Sequence, residues 1–214
     1  ATFMARADHD RLDLRRAIAE VEPDALVVDI NSWGALAAAE ASGLAWASFC
    51  PYPLPLSSVD APPFGPGFAP ARNMLGRLRD AIARPLVMGT IERTMVPRVN
   101  EVRAAESLAP VRNASEMLTR APLLLYLTAE PFEYPRRDWP ASVVMVGPCE
   151  WEPPAPAPDW LAGIDRPIVL VTSSSEFQND GRLVQAALDG LAGTDMFVIA
   201  TVPAGDPGAF RVPS

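Results

Sequence analysis

Asp29 ends the short apolar run Ala25-Leu-Val-Val-Asp29, and Ser173-Ser-Ser175 follows a second such run that ends in Thr172. A carboxylate at the end of a parallel strand sits where ligands gather in open α/β sheets, so it can orient a base or hold a hydroxyl. It can equally cap the next helix and accept amide hydrogen bonds. Hydroxyls and amides after a strand and before a helix can hold a phosphate, or form an ordinary hydrogen-bonded turn. No Gly-x-Gly-x-x-Gly and no Walker lysine accompanies them. His9 is the single histidine and lies in a polar stretch, where it is expected to be solvated. The aromatic residues Trp33, Phe49, Tyr52, Phe64 and Phe68 concentrate around the first run; they line an apolar cleft or pack as core and lid. Cys50 and Cys149 fit no metal or redox spacing, and the scattered carboxylates argue for no metal site.

The elements that must position these residues follow from periodicity. Leu14, Ile18 and Val21 predict an amphipathic helix that stops before Pro23. The run 25–29 reads as a strand buried on both faces. Asn31 and Ser32 can cap a helix over 33–42 that Gly43 terminates, and 45–49 reads as a second buried strand. Strand, helix, strand over so short a span is a βαβ crossover, so the fold class is α/β with parallel sheets. Pro51, Pro53, Pro55, Pro62, Pro63, Pro66 and Pro70 make 51–70 an extended loop. Apolar stripes at Leu75, Leu78 and Ile82 and at Ile91, Met95, Val99 and Val102 predict two helices, or one kinked at Pro85. Further strands are expected at 123–128 and 143–147. The prolines of 148–158 read as a semi-rigid linker, after which strand 168–172, helix 180–191 and strand 196–200 restart the rhythm.

Composition narrows the partners. The chain of 214 residues carries a net charge of −8, and all 18 of its basic residues are arginine. That balance argues against nucleic acid or an anionic membrane surface, and no apolar run is long enough to span a bilayer. Reduced, cytoplasmic thiols are the expectation for a chain so poor in cysteine.

The segment from Pro23 to Phe49, with its strand ending in Asp29 and its Ala37-Ala-Ala-Glu-Ala-Ser-Gly43 helix, resembles the acceptor domain of family-1 glycosyltransferases. Val144-Met-Val-Gly-Pro148, the Pro-rich linker, Trp160-Leu161 and Arg166-Pro-Ile-Val-Leu-Val-Thr-Ser-Ser-Ser175 resemble that family's interdomain passage. The likeness is nearest to bacterial natural-product transferases of the macrolide and enediyne type. It implies a GT-B fold of two Rossmann-like domains with parallel sheets, of which this chain covers the middle. Residues 1–147 then form the acceptor-binding domain, 148–166 the interdomain linker, and 167–214 the start of the nucleotide-sugar domain.

The resemblance also implies an inverting transfer of a sugar, a deoxysugar by expectation, from a nucleotide-diphosphate donor to a hydroxyl of an apolar, polyketide-like acceptor. No metal or cofactor is implied beyond the nucleotide sugar itself, and a homodimer is admitted but not required. Asp29 falls on the family's Asp that steadies a catalytic His, and that His belongs to a segment before Ala1. Thr172 and Ser175 match the hydroxyl positions of the donor turn, with Ser174 in place of the family's Gly. Asn31, Trp33, Tyr52 and Phe64 are the expected acceptor contacts. The rest of the donor signature is expected beyond Ser214, so these residues alone are expected to be inactive. Two other readings stand beside this one: a non-catalytic ligand-binding or auxiliary protein of the same fold, and a hydrolase using a serine of 173–175.

Overall fold

A computed structural model describes residues 2–175 and 178–213, without the side chains of Thr2, Phe3 and Ile91. The chain divides into two units between Trp151 and Glu152, inside the Pro-rich stretch. In the first, α1 (Thr2–Val21) leads into β1 (Ala25–Asp29), α2 (Trp33–Ser42), β2 (Ala45–Cys50), α3 (Met74–Ala105), α4 (Ala114–Leu118), β3 (Leu124–Tyr126) and β4 (Val143–Met145). The strands form one parallel sheet in the order β1-β2-β3-β4, in register from Ala25 opposite Ala45 to Asp29 opposite Phe49. The second unit holds β5 (Ile168–Thr172), α5 (Gly181–Leu191) and β6 (Phe197–Thr201), the strands again parallel. Short 3₁₀ turns at Asp159–Gly163 and Pro207–Ala209 flank them.

Two neighbouring apolar clusters hold the first unit. Leu26, Val28 and Ala39 pack with Leu14 and Ile18 of α1, which is why that helix needs its i, i+4 stripe. Ile30, Trp33, Leu54, Val102, Leu124 and Tyr126 belong to the larger cluster beside it. α1 crosses α2 so closely that a Cβ on Gly34 would stand 1.7 Å from the Ala7 carbonyl oxygen; only glycine fits there. Gly43, at φ 75°, ends α2 in the left-handed conformation that its position predicts.

Several expectations change. Among the described residues β1 is buried on one face only, with Val27 on the other 62% exposed, and it stands at one end of the strand order. The segment 74–105 is one uninterrupted helix that passes through both Pro85 and Pro97. Asn73 starts it by accepting the Gly76 amide at 2.9 Å, and Met88, Val99 and Val102 bury its far half. Each proline removes a single amide donor, and packing along so long a helix offsets that loss. Ile91, named in the stripe, has its side chain outside the described residues. The polar stretch around His9 is helical and belongs to α1, with His9 exposed as expected. α4 was not expected; its signal is Asn113-Ala-Ser-Glu116, in which Asn113 accepts the Glu116 amide at 2.8 Å.

Candidate functional site

The carboxyl end of β1 meets the carboxyl end of β2, and the side chains that emerge there form one hydrogen-bonded cluster. Asp29 Oδ1 accepts the Asn31 amide at 2.7 Å, closing a tight turn. The Asn31 side chain is consequently free to accept the Tyr52 hydroxyl at 2.7 Å, and the Cys50 thiol donates to the Tyr52 carbonyl at 3.2 Å. The first residues of the 51–73 loop are thus tied to the β1–α2 turn. Neither Asn31 nor Ser32 caps α2 as expected: Ser32 holds the N-cap position without a side-chain bond, and Asn31 faces Tyr52.

Charge and burial tune this cluster. Burial pushes the Tyr52 phenol up to about 12, with the nearby Cys50 and Asp29 adding to the rise against the Asn31 bond. Burial raises the Cys50 thiol too, and Asp29 adds to it. Both groups therefore stay protonated at neutral pH, and Tyr52 acts as a hydrogen-bond donor. Asp29 Oδ2 makes no hydrogen bond among the described residues, which leaves one carboxylate oxygen able to accept an N–H or O–H.

Of the other residues expected at the acceptor side, Trp33 packs in the core and is 5% exposed. It lines a small recess of about 30 Å³ with Ser48, and its near-complete burial gives it the core reading rather than that of an open wall. It starts α2 and belongs to the buried cluster that includes Ile30 and Leu54. Phe64 is 45% exposed and lines a separate recess of about 170 Å³ with Leu56, Tyr134 and Arg136. Below that recess, the Tyr126 hydroxyl accepts the Leu54 amide at 2.9 Å and donates to Glu133, which Arg136 pairs at 3.1 Å. This polar anchor was not foreseen, because its members come from β3 and from loops distant in sequence.

In the second unit, Thr172 ends β5 and its hydroxyl accepts from Thr201 at 2.9 Å. Thr172 and Ser175 are exposed. The Ser174 amide donates to Asp180 Oδ2 at 2.7 Å, and that bond, with help from the Ser174 hydroxyl, holds the Asp180 carboxyl below its usual range. Asp180 precedes α5 directly, where a carboxylate is also favoured by the helix dipole. The adjoining recess of about 190 Å³ is lined by Ser173, Asn179, Asp180, Gly181 and Asp206 among others, and no cationic side chain among the described residues lines it. Asp180 was expected only as the start of a helix. No group of three His, Cys, Asp or Glu among the described residues could hold a metal ion. No helix there is long and apolar enough to cross a membrane.

No protein-family model matches the sequence. The chain is 34% identical over 212 residues to 4'-demethylrebeccamycin synthase of Lentzea aerocolonigenes, covering 94% of this chain and 49% of that protein. Its fold is that of the glycosyltransferase SnogD from Streptomyces nogalater, at a TM-score of 0.56 and 17% identity, covering 99% of this chain and 49% of that one. The glycosyltransferase VinC, solved in complex with DTDP, matches at 0.50 and 19% identity, covering 98% and 51%. The chain thus spans about half the length of these proteins. With its parallel sheets in two units and its sequence likeness to a natural-product enzyme, the chain carries part of the GT-B fold of the bacterial natural-product glycosyltransferases.

Proposed function

We propose that the whole protein moves a sugar, a deoxysugar by preference, from a nucleotide diphosphate to a hydroxyl of an apolar natural product, with inversion. The carrying observation is Asp29: a carboxylate at a parallel strand end, with one oxygen anchored on the Asn31 amide and the other unengaged among the described residues. In this reading a histidine upstream of Ala1 removes the acceptor proton as the acceptor oxygen attacks the anomeric carbon. The bond from that carbon to the diphosphate breaks, and Asp29 stabilises the imidazolium. Asn31 and Tyr52 shape the acceptor side, and Phe64 lies on the loop beyond them. Thr172, Ser174 and Ser175 face the donor. Residues 1–147 hold the acceptor and 167–214 begin the donor domain, with 148–166 linking them. The 34% relative, named for making a glycosylated natural product, and the neighbour solved with DTDP support the reaction class and the donor class.

In the protein extended upstream, Asp29→Asn is expected to lower turnover by about 10²-fold or more, with the acceptor KM little changed. Turnover equal to the parent would remove Asp29 from the mechanism. No metal takes part in this reading, so a chelator should leave the rate unchanged. The 214 residues by themselves should not transfer sugar, since their single histidine, His9, lies exposed on α1. One observation favours a non-catalytic, auxiliary role instead: the Ser174 amide, which would meet a diphosphate, is engaged by Asp180. Turnover of a nucleotide-diphosphate sugar by the whole protein, as against binding without transfer, decides between the two.

A further inference from the structure

The chain is strongly acidic, yet one recess beside α3 gathers arginine. It encloses about 390 Å³, and its charged lining is Asp60, Arg77, Asp80, Arg84 and Arg137. Both carboxylates are already paired. Arg137 grips Asp60 through Nη2 at 2.6 Å, Nε at 3.1 Å and its own amide at 2.9 Å. Asp80, which is buried, takes Arg79 Nε at 2.8 Å. Arg77 and Arg84 are left over. The Arg77 guanidinium makes no hydrogen bond or ion pair among the described residues and acts on Asp60 only through its field. Arg84 gives Nη2 to the Ala61 carbonyl at 3.3 Å, while its Nε is shielded from solvent with no acceptor.

We infer that this recess binds an oxyanion, a carboxylate or phosphate group carried by a small molecule, between Arg77 and Arg84. The two residues are seven apart on one helix, hence on the same face about two turns from each other. Two guanidinium groups so spaced address one anionic group from two sides, and each can fork two oxygens. A shielded donor without an acceptor is a cost to the empty protein that an arriving oxygen removes. In a chain of net charge −8, a recess whose own carboxylates are neutralised is also where an anion meets least repulsion. The recess shares no lining residue with the Phe64 recess or with the Asp29 cluster, and the inference does not depend on sugar transfer.

The test is a titration of the 214-residue chain, with ¹⁵N-labelled arginine, by sodium phosphate and separately by sodium acetate at constant ionic strength. The Arg77 and Arg84 Nε–Hε signals are expected to move saturably with at least one of the two anions, and the responding anion identifies the group. Arg84→Gln should weaken that binding at least tenfold, and so should Arg77→Gln, which alters an exposed side chain and leaves folding intact. Arg211→Gln should not. Shifts that rise linearly without saturation, or that persist unchanged in both variants, would overturn the site.

Discussion

Asp29, Asn31 and Tyr52 act as a unit: the turn that orders the Asp29 carboxylate also frees Asn31 to receive the phenol. Tyr52→Phe removes that donor and should cost about 1 kcal/mol in urea denaturation; an unchanged midpoint would show that the pair carries no stability. Ser48 presents the opposite case, because its Oγ is buried without a partner among the described residues. Ser48→Ala should therefore be neutral or stabilising by up to about 1 kcal/mol, and a clear loss would point to a bond not seen here. That Asp29 ends a strand was legible from the apolar run before it. The Tyr52–Asn31 bond was not, since it joins residues whose adjacency is created only by the sheet. Trp33 shows the limit of composition: an aromatic residue beside a site reads the same whether its ring faces outward or into the core.

Helix ends and crossings carry the next level of specification. Gly34→Ala forces a methyl group into the Ala7 carbonyl, so α1 and α2 must part. A loss of about 3 kcal/mol is expected, near the upper end for overpacking, and a thermal midpoint within a degree of the parent would refute the close crossing. At the start of α5, Asp180 has a folded-state pKa below its unfolded value of about 3.9. Its contribution is therefore present above that unfolded value and lost as pH falls through the folded one. Asp180→Asn should destabilise the second unit at pH 7 and match the parent at strongly acidic pH; a constant difference at all pH values would contradict the assignment. Most element bounds were legible because Pro, Gly, Asn and Asp punctuate them. For α3 the sequence left two helices or a single one open, because Pro85 signals a break or a kink, and the structure takes the single helix.

The two units differ in how much they bury. The first has two apolar clusters and a four-stranded sheet, whereas among the described residues of the second only Val184 is a buried apolar side chain. Hydrogen exchange should accordingly be slower for amides of β2 and β3 than for those of β5 and β6; equal protection would mean that the units open together. The α/β class and the parallel sheets were legible from alternating apolar runs. The arginine recess was not, because α3 and the loops around 60 and 137 meet only in space. The pairing of β2 with β3 also governs how this molecule reaches its fold. β1, α2 and β2 are contiguous and can assemble as soon as they leave the ribosome, but β2 must then keep its inner edge unsatisfied while residues 51–123 are made. Closing so long an intervening chain is entropically slow, so the nascent first unit passes through a stage in which an open strand edge invites wrong pairing.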